Sequence, residues 1–189
     1  TEEIWSWANE FEIPRIAFVN KLDRERANFL RAIDDMEKAL GARGVAIQMP
    51  IGLETAFEGV IDLVTMKAWF YAKDGSGKFS EGAIPADCAD EANRLREHMV
   101  ETVAEAYDAL TEKYLEVGEL TEEEIIDGLR VGTMRNTFTA VLCGAATANI
   151  GVPHLLDAVC AYLPSPLDRT KAVGTHPKTE AIIERAPDV

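Results

Sequence analysis

The chain has 189 residues, of which 47% are hydrophobic, and its 33 Asp and Glu against 19 Lys and Arg give a formal net charge of -14. This size and composition predict a soluble chain that buries the core of one large domain or two small ones. The acidic balance argues against direct nucleic-acid binding, because a phosphate backbone attracts clusters of Lys and Arg. It favours solubility or a basic protein partner.

We expect neither a membrane span nor a signal peptide. No apolar run reaches the roughly 18 residues of a membrane span, and the acidic N-terminal segment predicts a helix. Cys88, Cys143 and Cys160 lie far apart and form no C-x-x-C pair, so we expect no metal site and no redox couple. A reducing, cytoplasmic location is the simplest interpretation.

The first 47 residues predict the helix, strand, loop and helix of an α/β domain. The sequence opens with a capped helix start, Thr1-Glu2-Glu3. Residues 16–19 form a short apolar run, which predicts a parallel strand buried on both faces. A second helix is expected from about Arg24, with Gly41 as its stop.

Residues 48–136 predict an α+β insert. The expected elements are strands near 45–49 and 59–64, a hairpin that pairs 69–71 with 78–79 around the turn 74–77, one long helix over 85–115, and a further helix that begins with a capping box of Thr121 and Glu124. The glycines of the turn are typical of a hairpin connection. The capping box satisfies two backbone donors at a helix start.

Residues 137–167 return to the α/β pattern, with a buried strand over 137–143 and a helix over 152–163. Residues 168–189 lack clear periodicity and predict a linker toward a following domain. The expected fold class is therefore α/β, a parallel-type sheet with flanking helices that is interrupted by the insert at residues 48–136.

The motif Asn20-Lys21-Leu22-Asp23 directly follows the first apolar strand, where α/β folds place their ligand sites. The Asp23 carboxylate can accept hydrogen bonds from N1–H and the exocyclic amine of guanine, which adenine lacks at that edge. The stem of Lys21 can lie across the base, and the Asn20 amide can join neighbouring loops or reach N7. The alternative is that Asn20 and Asp23 only cap a helix near Arg24.

A second loop, Cys143-Gly144-Ala145-Ala146, ends the later buried strand. Together with four longer stretches it makes the chain resemble bacterial translation elongation factor G nearly end to end. The stretches, in order, are PRIAFVNKLDRERANF, PIGLETAFEGVIDLVTMKAW, EKYLEVGELTEEEI and GVPHLLDAVCAYLPSPLD.

The resemblance implies the C-terminal part of a P-loop GTPase domain, with the G′ subdomain as its insert. It implies that residues 20–23 form the base-specificity motif and that residues 144–146 form the second guanine loop, with the Ala146 amide facing O6. The implied cofactor is GTP or GDP, and the implied partners are the ribosome and, through the insert, the ribosomal stalk protein. The implied role is translocation or ribosome recycling.

The chain departs from the family pattern in the second loop. Ala145 and Thr147 stand where the family usually has Ser and Phe. We expect the lost hydroxyl to remove a loop hydrogen bond worth about 0.5–1.5 kcal/mol. Weaker base binding or a divergent paralogue would follow.

The groups that bind phosphate and Mg²⁺ are expected outside this sequence. The family carries G-x-x-x-x-G-K-[ST] and both switch segments before the first helix seen here. Gly75-Ser76-Gly77-Lys78 is no substitute, because Ala72 occupies the outer glycine position and Phe79 follows the lysine; it predicts a turn. We therefore expect a fragment that does not hydrolyse GTP by itself and whose bare sheet edges favour self-association.

The long helix expected over residues 85–115 carries acidic residues opposite its apolar face. These are Glu97, Glu101, Glu105, Asp108, Glu112 and Glu116. Like charges at this spacing repel, so a basic partner would stabilise the face, although charge runs are more often solvated surface.

Two interpretations of function remain open. The chain is either part of a ribosome-dependent GTPase with a guanine site and a stalk contact, or a protein-binding module without a working nucleotide site. His98, His154 and His176 lie far from one another in the sequence. We expect them on the surface, without a catalytic or metal-binding role.

Overall fold

Within residues 1–168 and 171–186, which the computed structural model describes, the chain forms six α-helices and nine β-strands. The helices are α1 (Glu2–Glu10), α2 (Phe29–Leu40), α3 (Ala86–Ala104), α4 (Asp108–Val117), α5 (Glu122–Met134) and α6 (Val152–Tyr162). The strands are β1 (Ala17–Val19), β2 (Gly44–Ala46), β3 (Gln48–Ile51), β4 (Gly59–Asp62), β5 (Lys67–Tyr71), β6 (Phe79–Gly82), β7 (Thr139–Cys143), β8 (Ala172–Thr175) and β9 (Ile182–Arg185). In this part of the chain no helix combines the length and apolar character that crossing a bilayer requires.

The first sheet is parallel and has the strand order β1-β7-β2. Its central strand, β7, is buried along its whole length, as the continuous apolar run predicts for a strand covered on both faces. Helix α2 packs against β2, and α5 packs against β7. The predicted α/β fold class is confirmed.

The second sheet is antiparallel, with the order β3-β4-β5-β6. The predicted hairpin is confirmed, because β5 and β6 pair with Tyr71 opposite Phe79. In its turn, Gly75 and Gly77 adopt φ values of 73° and 72°, which glycine reaches without steric cost. The predicted capping box of α5 is confirmed as well.

Ile47 joins the two sheets at the single residue between β2 and β3. Its N–H donates to the carbonyl of Val141 in the first sheet at 3.0 Å, and its carbonyl accepts from Leu63 beyond β4 at 3.0 Å. Buried side chains of both sheets and of the helices belong to one continuous apolar cluster. The insert is therefore packed firmly on the parallel sheet.

The single long helix expected in the insert is wrong, because residues 105–107 separate α3 from α4. The carbonyl groups at the break find donors outside a helical ladder. Ala104 accepts from Thr111 Oγ1 at 2.8 Å, and Ala106 accepts from Arg135 Nη1 at 3.2 Å. Since helix ends need such partners, the break is satisfied, and the acidic residues do not share one helical face.

The second helix starts later than expected. α2 begins at Phe29, and the Asn28 side chain is its N-cap. The alternative that the motif at residues 20–23 only caps a helix is therefore wrong, because those residues lie in the loop before the cap. The predicted stop at Gly41 is confirmed by its left-handed φ of 63°.

The segment expected to be a linker, residues 168–189, has regular structure in the part that the structure describes. β8 and β9 form an antiparallel hairpin there. Residues 169, 170 and 187–189 lie outside the described part of the chain.

The outer edge of β1 is open. Among the described residues β1 pairs only with β7. The apolar side chains of Ile4, Trp7, Phe11 and Ile13, on and just after α1, are between 51% and 68% exposed. An open strand edge and an exposed apolar surface are both sites at which further polypeptide can add.

Candidate functional site

Two loops meet beyond the carboxyl ends of β1 and β7. The strands end side by side, with Val19 opposite Cys143. Backbone bonds then connect the loops, because Gly144 N–H donates to Val19 at 3.0 Å and Leu22 N–H donates to Gly144 at 3.2 Å. This end of a parallel sheet is where α/β folds bind ligands.

Asn20 joins the two loops through its side chain. Its Oδ1 accepts from Ala146 N–H at 2.9 Å and from Lys21 N–H at 2.7 Å. Lys21 adopts a left-handed φ of 66°, and its side chain is exposed. The amide of Asn20 therefore joins neighbouring loops, one of the two roles that the residue type suggests.

Leu22 anchors the first loop, whereas one carboxylate oxygen of Asp23 has no partner. Leu22 is only 2% exposed, and its carbonyl accepts from Glu54 N–H at 3.1 Å. Asp23 Oδ2 lies 3.7 Å from Arg24 Nε, whereas Asp23 Oδ1 is buried and has no hydrogen-bond partner. A buried acceptor without a donor costs about 1–3 kcal/mol, so a ligand N–H that reaches it would stabilise the site.

The second loop is held by its backbone. Ala145 and Ile150 exchange two hydrogen bonds of 3.0 and 3.1 Å, which enclose the short 3-10 helix Ala146–Ala148. The Ala145 side chain is fully buried. A Cβ at Gly144 would come within 2.5 Å of Phe18 Cζ and closer still to the Ile150 carbonyl, so only glycine fits there.

Glu54 supports the first loop, and the sequence pattern does not reveal this role. It has a left-handed φ of 53°. Its Oε1 accepts from Arg26 N–H at 2.8 Å, while its own N–H donates to Leu22. Glu54 lies between two strands of the insert, far along the chain from the residues it contacts, so only the tertiary structure identifies it.

All six acidic residues proposed from the sequence as a partner surface are exposed. They lie on α3, on α4 and in the connection between them, away from the two loops. Glu105 pairs with Arg43 at 2.6 Å, and this hydrogen-bonded guanidinium lowers the pKa of Glu105. In the part of the chain that the structure describes, the other five have no ion-pair partner.

His154 does not lie on the surface, so that expectation is wrong. Its ring is half-buried among Trp69, Tyr71 and Phe79, at centroid distances of 5.5, 6.0 and 4.7 Å. Burial lowers the pKa of His154, and Asp62 and Asp157 oppose this effect. Within the two described ranges no group of His, Cys, Asp or Glu side chains has the arrangement of a metal site.

The parallel sheet, its flanking helices and the paired loops define an α/β domain whose ligand site would lie beyond the ends of β1 and β7. Residues 1–165 match the family model for the elongation factor Tu GTP-binding domain. The chain therefore belongs to this family of translational GTPases, which bind guanine nucleotides. The fold is that of part of a P-loop GTPase domain.

A solved structure supports the same relationship. The chain is similar to a protein from Thermus thermophilus, with 28% sequence identity and a TM-score of 0.80. The match covers 92% of this chain and 26% of the Thermus chain. The chain thus spans about a quarter of the length of that protein.

Proposed function

We propose that the two loops bind the base of GTP or GDP. The bond from Ala146 N–H to Asn20 Oδ1 carries this proposal, because it brings both loops to one place. The unpartnered Oδ1 of Asp23 lies in the same loop system and suits the N–H groups of guanine. The exposed stem of Lys21 is available to cover the base.

The chain is, in this proposal, part of a longer protein, called the parent protein below. The parent protein is a cytoplasmic, ribosome-dependent GTPase of the elongation factor G type, and it promotes translocation. Its phosphate-binding loop, switches and Mg²⁺ ligands lie outside the 189 residues, which contain no G-x-x-x-x-G-K-[ST] motif. The isolated chain then neither holds phosphate firmly nor hydrolyses GTP.

Base recognition is tested by exchanging the base and its partner together. In the parent protein, Asp23→Asn replaces an acceptor by an amide that can donate to the extra carbonyl of xanthine. We expect GDP affinity to fall by on the order of 10³ or more, while XDP affinity rises. Calorimetric titration of both nucleotides measures this, and tight GDP binding that ignores the substitution would contradict the proposed site.

The insert contacts the ribosomal stalk protein in this proposal. The exposed acidic residues of α3 and α4 support it, because five of them have no cationic partner among the described residues. Glu97→Lys with Glu101→Lys should weaken stalk-protein binding, measured by interferometry. Glu3→Lys with Glu10→Lys on α1 is the control, since it makes the same change in net charge elsewhere; equal effects of the two pairs would remove the idea.

In this proposal another part of the parent protein covers the open edge of β1 and the exposed apolar side chains of residues 4–13. In the isolated chain we expect them to cause self-association, which sedimentation at several concentrations measures. An isolated chain that stays monomeric would contradict this expected self-association.

The rival function, a protein-binding module without a nucleotide site, requires that the parent protein bind no guanine nucleotide.

A further inference from the structure

The hairpin turn of the insert touches the second loop of the proposed base site. Gly77 lies in the β5–β6 turn, and a Cβ built on it would come within 2.8 Å of Cγ of Asn149 and closer still to its amide nitrogen. The Asn149 side chain is thus seated directly against the Gly77 backbone. A Cβ on Gly77 would therefore force the Asn149 side chain to move.

Asn149 is the C-cap of the short 3-10 helix that begins at Ala146. It adopts a left-handed φ of 55°, which Asn tolerates better than most residues. Its N–H donates to the Ala146 carbonyl at 3.1 Å, and Ala148 N–H donates to Ala145 at 3.0 Å. Ala146 N–H in turn donates to Asn20 Oδ1 at 2.9 Å. A continuous series of contacts therefore runs from the hairpin turn to the base motif.

The strands of the hairpin also pack against α6, the helix that follows the second loop. Trp69, Tyr71 and Phe79 pack around His154, and the closest ring centroids are 4.7 Å apart. His154 lies in the first turn of α6, which begins directly after the second loop. A shift of the hairpin would therefore disturb these ring contacts or the contact between Gly77 and Asn149.

We propose that Gly77 and Asn149 are positioning residues that couple the β5–β6 hairpin to the guanine site. The hairpin turn holds the second loop in place for the base, and displacement of the hairpin speeds nucleotide release. Because coupling between sites is reciprocal, bound nucleotide also changes how firmly the hairpin region engages a partner. This inference rests on the proposed guanine site.

Two glycines of one turn supply a matched test. Gly77→Ala and Gly75→Ala both place a side chain at a left-handed φ, of 72° and 73°, but only the first meets Asn149; a Cβ at Gly75 meets nothing within 4 Å. In the parent protein we expect Gly77→Ala to speed dissociation of fluorescent GDP at least about fivefold. Gly75→Ala should leave the rate within about twofold. Equal effects of the two substitutions would overturn the proposal.

Asn149→Gly separates the contact from general damage, because glycine keeps the left-handed backbone and removes the side chain. We expect Asn149→Gly alone to speed release, and Gly77→Ala to add no more than Gly75→Ala does in the Asn149→Gly background. Release rates unchanged by Asn149→Gly, or fully additive effects, would overturn the coupling. This outcome remains distinct from failure of the base site, which the exchange of GDP for XDP by Asp23→Asn tests independently.

Discussion

The loop after β1 makes side-chain contacts in addition to backbone bonds, whereas the loop after β7 is held through its backbone. In the first, Asn20 bonds across to the other loop, Leu22 is buried and Asp23 keeps an unpartnered carboxylate oxygen. In the second, Ala145 and Ile150 are joined through their backbone groups. Substitutions in the two loops should therefore have different consequences.

This difference explains why the second loop can tolerate alanine at position 145. The family's usual serine hydroxyl is absent, but the N–H and carbonyl of Ala145 pair with Ile150 whatever the side chain. The fully buried Ala145 also leaves no polar atom unsatisfied. We infer that the second loop keeps its order without the hydroxyl.

The largest effect is expected at Gly144, where the backbone-built loop has no room for a side chain. Gly144→Ala would press a Cβ against Phe18 and the Ile150 carbonyl, and such overpacking costs about 1–3 kcal/mol of unfolding free energy. Urea denaturation measures the loss. Gly174→Ala is the control, because its Cβ would meet open space; equal stability of the two variants would show that the second loop is not tightly packed.

The next effect is expected at Asn20, the side chain that both loops share. Asn20→Ala leaves Lys21 N–H and Ala146 N–H without their acceptor, which costs about 1.5 kcal/mol, or roughly tenfold in GDP affinity of the parent protein. Titration calorimetry measures it. Asn20→Asp keeps an acceptor oxygen and should retain most of the affinity; if both variants bind alike, the shared bond does not hold the site.

Ala146→Pro removes the backbone donor of the bond between the two loops and leaves the Asn20 side chain in place. Ala145 is extended (φ -135°, ψ 94°) and so lies outside the helical region that a following proline disfavours, and proline suits a helix start. We expect a loss of about 0.5–1.5 kcal/mol in GDP binding, no larger than that of Asn20→Ala, because Asn20 keeps its bond from Lys21. Thr147→Ala, an exposed neighbour, is the control and should bind normally.

The smallest effect is expected at His154, in the first turn of α6, where the free energy of unfolding should depend on pH. Burial lowers the pKa of His154 in the folded chain, so the unfolded chain binds this proton more readily. Stability is unaffected above the unfolded pKa of about 6.5 and declines as the pH falls below it, until the folded pKa is passed. Unfolding free energies from pH 8 to 5, compared with His154→Phe, measure this; parallel curves would contradict it.

Local patterns predicted several of the elements and their ends. The sequence predicts the strand β1, the end of α2 at Gly41, the hairpin turn and the capping box of α5, because each depends on residues within a few positions of one another. The motif at residues 20–23 can be recognised in the sequence for the same reason, since side chains of one short loop carry its proposed chemistry.

The sequence alone thus determined most of the local elements, the fold class and the side chains that we propose for the base site. Only the tertiary structure decided which distant groups meet: the bond between Asn20 and Ala146 spans 126 positions, and Gly77 meets Asn149 across the two sheets. It also decided the break between α3 and α4, because the Ala106 carbonyl finds its donor on Arg135. Propensity acts over one or two turns of chain, whereas these choices depend on backbone groups that are satisfied by residues brought close only by folding.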